Sequence, residues 1–416
     1  MKSNFKIKIT VRLVALVCFL ALFAVACGKG KMFREDPKRQ KYKDRTRAYL
    51  PDLKPGILKA RLALVNRDML PDLVLLRADE KGRPVIRVWN NQAGKRFVPV
   101  KRIGWQGQAS DRVAFMALRD LNHDGAEDLV LVGRFGGGSS AKVLFNNGKG
   151  YFYVRREIPF PYVNRGIDRV ILRDIDGDGH VDMFFMGNRV LNDRGAPHRH
   201  QVQFMINNGR GQFKDSTQLL IPPLKPGIVD ASFADYDGDQ TLDIFLVNGE
   251  GQNSLLTNNG LGQFADRTSE LLPPINDRGA SADWADFDQD GDNDLLVVNR
   301  EALAKGEYSY FLVNQGHGYF RKGPFKASPK VPFQAVYLLD ANDSEFPDAI
   351  LLSANGIHFL RGLGKWRFWK ESRRRLPFND KFHELTFADI NRDGFLDIFG
   401  YAKREGRGVL WINTFE

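Results

Sequence analysis

Short apolar segments alternate with acidic, glycine-containing loops along most of the chain. An apolar segment such as VAFMAL or ASFA comes first, then the pattern Asp-x-Asp/Asn-x-Asp/Ser-x-x-x-Asp, then a second apolar run such as LVLV or IFLV. A third segment ends in a turn rich in Asn and Gly, as in NNGKGYF, NNGRGQF and NQGHGYF. Because Asn-Gly between strand-like runs is a strong hairpin signal, each unit predicts a four-stranded antiparallel meander.

The spacing of the acidic loops predicts how many such units there are. Five intervals between 120 and 389 give a mean period of about 54 residues, which is typical of blades, solenoids or arrays. A degenerate seventh copy, Leu64 to Asp72, precedes the six others, which begin at Asp120, Asp174, Asp235, Asp286, Asp340 and Asp389. Seven units that repeat radially predict an all-β fold, a seven-bladed β-propeller over residues 41–416.

The two chain ends carry a signal for ring closure. The last repeat stops at GVLWINTFE, where its fourth strand should begin. Residues 42–57 (YKDRTRAYLPDLKPGI) align without a gap to residues 213–228 (FKDSTQLLIPPLKPGI), the last strand and exit loop of the Asp174 repeat. We therefore predict that the N-terminal segment supplies the outer strand of the final blade.

The acidic loops have the composition of calcium sites. Alternate residues of a tight loop point their oxygens inward, and calcium takes about six to eight oxygen ligands, so a main-chain carbonyl and water would complete each shell. We predict about five sites, with these ligands: Asp120, Asn122, Asp124, Asp128; Asp174, Asp176, Asp178, Asp182; Asp235, Asp237, Asp239, Asp243; Asp286, Asp288, Asp290, Asp294; and Asp389, Asn391, Asp393, Asp397.

Two other structures could contain such loops. An EF-hand needs a Glu at loop position 12 and flanking helices, but the residues there are Leu131, Phe185, Leu246, Val297 and Gly400, within strand-like runs. Asp, Asn and Gly also form turns without any metal. Because three or four carboxylates in one loop repel each other without a counter-ion, calcium is favoured.

Three copies depart from the pattern. The Asp235 loop has Gln240 where the other complete copies have glycine at position six, so its geometry stays open. The Asp340 loop offers Asn342, Ser344 and Asp348, which predicts weak or no metal binding. The first copy, which starts at Leu64, lacks the leading acid and predicts a turn without an ion.

These loops resemble the FG-GAP/VCBS repeat family, whose calcium-loop propellers include the head domain of integrin alpha subunits. The resemblance covers about residues 41–416 and implies both the fold and the ion. It implies little about the ligand, because the family includes adhesion heads, lectin-like modules and lyase accessory domains.

The N-terminus is typical of an exported protein. A basic start is followed by an apolar stretch from Leu13 to Ala26, which is short for a membrane span and suits a signal peptide over residues 1–26. The sequence AVACG resembles a bacterial lipobox, with Cys27 as the acylated residue and residues 27–40 as a basic linker. Gly28 then resembles the sorting signal for the outer membrane. Ala-x-Ala also suits ordinary signal peptidase, so a soluble periplasmic or secreted protein is the alternative.

The cysteine content and the charge fit this interpretation. Cys18 leaves with the signal peptide, so no disulfide framework is expected. The formal net charge of +11 falls to +7 without the first 26 residues, and residues 28–47 carry +6 of that. The propeller is therefore near neutral, which argues against nucleic acid. The basic linker either meets anionic head groups or is simply solvated.

The face opposite the acidic loops is the predicted binding surface. Its loops are rich in arginine, whose planar fork suits carboxylate, sulfate or phosphate; we chose Arg134, Arg189 and Arg300 as candidate ligand-binding residues. Exposed loops of a basic protein could also hold arginine without a ligand. His198 and His200 would share one side of a strand, as a transition-metal pair would, but a solvated loop is the favoured interpretation.

The sequence therefore predicts a non-catalytic binding or scaffold lipoprotein at the cell envelope, with no catalytic residues assigned. The expected partner is an anionic envelope glycan or an acidic protein surface, and the expected state is a monomer. The alternatives are a polysaccharide-active lyase or hydrolase and a neutral-sugar lectin. An enzyme should place two or more acids or histidines in one pocket at the channel mouth, whereas a binder should use a wider surface.

Overall fold

The computed structural model describes residues 40–51, 53–101, 104–159, 167–187, 202–225, 227–303, 306–378, 381–402 and 406–415. The predicted signal peptide and lipidation site lie outside these residues. Within them, no helix is long and apolar enough to span a membrane.

The described residues form seven four-stranded sheets, numbered here as blades 1 to 7 in chain order. The chain starts with β1 (Gln40–Asp44) and α1 (Thr46–Tyr49). Blade 1 consists of β2 (Ile57–Ala63), β3 (Asp72–Ala78), β4 (Pro84–Gln92) and β5 (Arg96–Pro99). Blade 2 consists of β6 (Arg112–Arg119), β7 (Asp128–Phe135), β8 (Gly138–Asn146) and β9 (Phe152–Pro159). Blade 3 consists of β10 (Ile167–Arg173), β11 (Asp182–Gly187), β12 (Val202–Asn207) and β13 (Phe213–Asp215), and α2 (Thr217–Leu220) follows it.

The remaining blades repeat this order. Blade 4 consists of β14 (Ile228–Ala234), β15 (Asp243–Asn248), β16 (Ser254–Asn258) and β17 (Phe264–Asp266), and α3 (Thr268–Leu271) follows it. Blade 5 consists of β18 (Gly279–Ala285), β19 (Asp294–Asn299), β20 (Ser309–Asn314) and β21 (Phe320–Pro324). Blade 6 consists of β22 (Phe333–Leu339), β23 (Asp348–Ser353), β24 (Gly356–Gly362) and β25 (Phe368–Lys370), and α4 (Ser372–Arg375) follows it. Blade 7 consists of β26 (Glu384–Ala388), β27 (Asp397–Tyr401), β28 (Gly408–Phe415) and β1.

Every blade is antiparallel, and its acidic loop joins the first strand to the second. All seven acidic loops therefore lie at one end of the ring, which we call the metal-loop face. The connections between second and third strands, and those between blades, lie at the other end, the opposite face. The prediction of a seven-bladed all-β propeller is confirmed.

The core lies between blades. The second strands contain continuous apolar runs, such as IFLV in β15, and every residue of β15 is buried because both faces of the strand are covered. Each of seven apolar clusters joins two neighbouring blades. One of them packs Phe399 and Leu410 of blade 7 against Leu73 and Leu75 of blade 1, which closes the ring.

The N-terminal strand completes blade 7, as predicted. β1 pairs antiparallel with β28, from Gln40 opposite Phe415 to Asp44 opposite Trp411. In the turn that follows, the Thr46 N–H donates to Asp44 Oδ1 at 2.9 Å, and Thr46 Oγ1 accepts the N–H of Leu410 at 2.8 Å. Thr217 makes the same two contacts in blade 3. The alignment of the two segments therefore reflects one structural motif.

Candidate metal loops and an opposite-face cavity

Outside blade 6, where only Asp343 at position four is left-handed, the acidic loops turn at two left-handed residues, at loop positions four and six. In blade 3 these are Gly177 and Gly179, with φ of 77° and 85°. In blade 4 position six is Gln240, with φ of 70°, and its N–H donates to Asp235 Oδ2 at 2.8 Å. The N–H of Gly179 donates to Asp174 Oδ2 in the same way at 2.9 Å. The blade 4 loop therefore has the common geometry despite its missing glycine.

Three of the five predicted calcium loops bring three carboxylates together. Within each group, one carboxylate oxygen from each acid lies within 4.8 Å of the other two: Asp174, Asp176 and Asp182; Asp235, Asp237 and Asp239; Asp286, Asp288 and Asp290. Among the described residues, the acids of the blade 2 and blade 7 loops are not grouped in this way; there Asn122 and Asn391 replace one acid. The three acidic groups could bind a metal ion.

The electrostatics of these groups fit a hard cation. Burial first, and neighbouring carboxylates second, raise the pKa of Asp176, Asp237 and Asp288. In addition, Asp288 Oδ1 is buried and has no hydrogen-bond partner in the structure. A cation held by oxygens alone would offset both the desolvation and the repulsion.

The acid at position nine has a second role that the sequence analysis missed. Asp128 is fully buried; its Oδ1 accepts the N–H of Asn146 at 2.8 Å and its Oδ2 accepts the N–H of Leu121 at 3.1 Å. Burial raises the pKa of Asp128 to about 7. The corresponding acids of blades 3, 4 and 7 accept the same pair of N–H groups. These predicted ligands therefore also fix the loop to the third strand.

An asparagine at or near the end of the third strand connects neighbouring blades. Asn146 Nδ2 donates to the carbonyl of Val65 in the blade 1 loop at 2.8 Å. The same contact, at 2.7 to 3.1 Å, is made by Asn91, Asn207, Asn258, Asn314 and Asn413, so six of the seven blade interfaces have it. The sequence signal is the recurring Asn of the NNG runs, from which the local pattern predicts a hairpin alone.

The interface between blades 5 and 6 is built differently. Gly362 stands at the asparagine position and has no side chain to donate. Instead, Trp366 Nε1 donates to Asp294 Oδ2 at 3.0 Å, and the N–H of Lys365 donates to the Phe287 carbonyl at 2.8 Å. An indole and a main-chain amide thus take the place of the asparagine.

The candidate arginines of the opposite face are spread around the ring. Arg134 lies near the end of β7 in blade 2, and Arg300 directly follows β19 in blade 5, so the structure does not bring them together in one blade. Arg134 Nη2 donates to the Gly137 carbonyl at 3.3 Å, and Arg300 Nε donates to the Gly279 carbonyl at 3.0 Å. Arg189, His198 and His200 lie outside the described residues.

The first strands contact each other around the central channel and carry ion pairs there. Arg61 of β2 pairs with Glu384 of β26 at 2.5 Å, and Arg169 of β10 pairs with Asp230 of β14. Burial raises the pKa of Glu384, but the charge of Arg61 and the hydrogen bond from Arg61 to Glu384 outweigh it and lower that pKa to about 2. The guanidinium of Arg61 lies 5.0 Å from the ring centre of Phe115. No sequence pattern predicts these pairs, because their members are far apart along the chain.

A cavity of about 660 Å³ opens where the first strands of blades 7, 1 and 2 begin, on the opposite face. Its charged and titratable lining consists of Lys59, Lys81, Asp111, Arg112 and His383. One acid and one histidine share this cavity, which meets the number that the sequence analysis required of an enzyme. Both Asp111 oxygens, however, accept main-chain N–H groups, from Gln108 and Gly136.

Comparison with known proteins identifies the repeat. A family model described as FG-GAP-like repeat matches residues 120–185, 190–246, 235–297 and 340–400. No curated protein matches the sequence. Among solved structures, BBS1N, crystallised with ARL6DN, is 11% identical with a TM-score of 0.53 and covers 91% of this chain and 98% of its own. A lectin of Agrocybe aegerita that recognises non-reducing terminal N-acetylglucosamine is 16% identical, with a TM-score of 0.49. The match covers 91% of this chain and 93% of the lectin chain.

Proposed function

The chain belongs to the FG-GAP-like repeat family, and on that premise we propose that it is a calcium-loaded, non-catalytic binding or scaffold module of the cell envelope. The observation that carries the calcium assignment is the grouping of three carboxylates in each of the blade 3, 4 and 5 loops. Oxygen donors alone, on a loop whose main chain is already turned around them, suit calcium better than a softer metal.

The role of the ion in this proposal is mechanical. Calcium would neutralise the grouped acids, which stand at positions one, three and five in blades 4 and 5 and at positions one, three and nine in blade 3. The position-nine acid also holds the loop to the third strand. The Asn258 side chain then connects the blade 4 hairpin to the Ile175 carbonyl in the blade 3 loop. Ordering one loop therefore also supports the neighbouring blade interface, and the opposite face is presented on a stiff ring.

The partner is proposed to be anionic, either an acidic envelope glycan or an acidic protein surface, with Arg134, Arg189 and Arg300 among its contacts. Cys27 would carry a lipid that holds the propeller at the outer membrane, with the basic linker next to the head groups. Exposed charges are screened beyond about 8 Å at physiological ionic strength, so this binding should weaken as salt is added.

A binding screen tests this function. Purified protein is titrated against cell-envelope glycan and protein fractions at low and high salt, with and without a calcium chelator. Replacing Arg134, Arg189 and Arg300 by Ser should weaken binding without changing the melting temperature, because exposed charges contribute little to stability. Replacing Arg155, Arg210 and Arg374 by Ser is the matched control, since these residues are exposed elsewhere. Salt-independent binding, or equal loss in both triple variants, would contradict the proposal and favour a neutral-sugar surface.

One observation favours an enzyme as the second candidate, namely that Asp111 and His383 share the opposite-face cavity. A lyase or hydrolase acting on polysaccharide would need both groups for acid-base chemistry. Turnover of an acidic polysaccharide by the parent, lost in His383→Gln with the fold intact, would establish this alternative over the binding module.

A further inference from the structure

The cavity on the opposite face has a mostly apolar wall. Ile57 and Leu58 of β2, Pro84 of β4 and Val113 of β6 contribute to it, and Leu58 is 43% exposed. Its volume of about 660 Å³ lies within the range of roughly 300–1,000 Å³ that is usual for small-molecule sites. An apolar ligand that covers this wall removes apolar surface from water, which favours binding.

Positive charge lines the same cavity. Lys59, Lys81 and Arg112 are the basic side chains of the lining, which holds one carboxylate, that of Asp111. That carboxylate is 6% exposed and directed at main-chain N–H groups, with Oδ2 at 2.9 Å from the Gln108 nitrogen and Oδ1 at 3.1 Å from that of Gly136. The lining therefore has an excess of positive charge.

The arginine and the nearby glutamate are held in place by their own contacts. Arg112 Nη1 donates to the carbonyls of Ala109 and Asp111, at 2.8 and 2.9 Å, which fixes its guanidinium at the cavity wall. Glu384, deeper in the channel, is matched by Arg61 and by the Tyr401 hydroxyl at 3.0 Å. Lys59 also helps to lower the pKa of Glu384, so the cationic character of the cavity rests on Lys81 and Arg112.

We propose that this cavity binds a small amphipathic anion, whose carboxylate or phosphate head contacts Lys81 and Arg112 while its apolar body covers Leu58 and Val113. The proposal deepens the binding function proposed above and rests on it, since it names one site and one ligand class within the opposite face. Both head groups are recognised by the same chemistry, so the source of the anion is a matter for experiment.

The test uses decanoate and decyl phosphate as probes, with decanol as the neutral analogue, in calorimetric titrations of the propeller. Lys81→Glu should weaken the binding of both anions by about tenfold or more, because it replaces a charge-assisted contact by a repulsive one. Lys95→Glu is the matched control, since Lys95 is exposed in another turn of blade 1, on the metal-loop face, and the change in net charge is identical. It should leave the affinity unchanged, and decanol should bind at least tenfold more weakly than decanoate.

A second variant keeps the test decisive if Lys81→Glu alters the fold. Arg112→Gln, checked by its melting temperature, should weaken anion binding as well.

No saturable binding of either anion, unchanged affinity in both variants, or decanol binding as tightly as decanoate would each overturn the proposal. If the probes fail but salt-sensitive envelope binding persists, the cavity assignment falls and the binding module stands. If the probes bind as expected but no envelope fraction does, the cavity assignment stands and the wider function falls.

Discussion

The acidic loop of blade 4 and its counterpart in blade 1 have nearly the same main chain but different charges. Positions four and six are left-handed in both, with φ of 82° and 70° at Gly238 and Gln240, and 64° at both Arg67 and Met69. In blade 4, three carboxylates face one another. In blade 1, Asp68 is the one carboxylate at positions one, three and five, and Asn66 Nδ2 donates to Asp68 Oδ2 at 2.9 Å.

The comparison separates the turn from the ion. In both loops, main-chain N–H groups donate to the acid side chains, and in both the position-nine acid accepts an N–H from the third strand, from Asn91 to Asp72 at 2.7 Å and from Asn258 to Asp243 at 2.9 Å. These bonds define the turn. The number of acids then decides whether a cation is needed.

Removing calcium should have the largest effect, and it should act through blade 4 and its equivalents. At a ratio of free calcium to dissociation constant between 1 and 10, each site stabilises the fold by about 0.4–1.4 kcal/mol, and five sites by about 2–7 kcal/mol. A chelator should therefore lower the melting temperature by several degrees in a thermal scan. Calorimetric titration should give three to five ions per chain; two or fewer would contradict the assignment.

The position-nine acid of blade 1 should make the fold sensitive to pH even in excess calcium. Burial raises the pKa of Asp72 from 3.8 to about 7. An acid with a raised pKa stabilises the fold when protonated, so this stabilisation is complete below pH 3.8 and is lost as the pH rises through 7. In Asp72→Asn, the amide oxygen can still accept the Asn91 N–H without a charge. Between pH 5 and 8 the parent should lose about 2 kcal/mol more unfolding free energy than this variant, measured by urea titration. Equal slopes would show that Asp72 does not titrate in this range.

Single substitutions at position five should separate metal loops from the blade 1 loop. Asp290→Ala removes one member of the blade 5 group and should abolish one calcium site, with a loss of about 1 kcal/mol in calcium and little in chelator. Asp68→Ala, at the same position in blade 1, should leave the number of bound ions unchanged. If both variants lose an ion, the blade 1 loop also binds metal and the contrast is wrong.

The smallest expected effect concerns strain in the blade 1 loop. Met69 is 58% exposed and has φ of 64°, a conformation that residues other than glycine rarely adopt. Met69→Gly should stabilise the protein by about 0.5–1 kcal/mol, because the relief of strain exceeds the added entropy of the unfolded chain. Met69→Ala, which keeps the strain, is the control. A glycine variant no more stable than the alanine variant would contradict this account.

The sequence predicts the repeated elements well because each blade encodes its own turns. The Asn-Gly hairpins, the acidic loops and the match of residues 42–57 to 213–228 are local patterns, and the structure confirms the strands and the closure they predict. Contacts between blades have no such local signal. The residues next to Asn146 in the sequence predict a hairpin there, whereas its contact partner Val65 lies 81 residues away along the chain. The opposite-face cavity is likewise assembled from three blades, so only the folded ring reveals it.

The closure of blade 7 also sets an order on folding. Thr414 Oγ1 donates to the carbonyl of Lys41, across a separation of 373 residues, so β1 pairs with a strand that is synthesised long after it. Blades 1 to 6 can pair their own strands as they emerge, since all four strands of each are consecutive. The N-terminal strand must wait, with an exposed edge that invites pairing with other chains. A chain interrupted before β28 therefore leaves that edge open, and aggregation or degradation of such products is the expected fate.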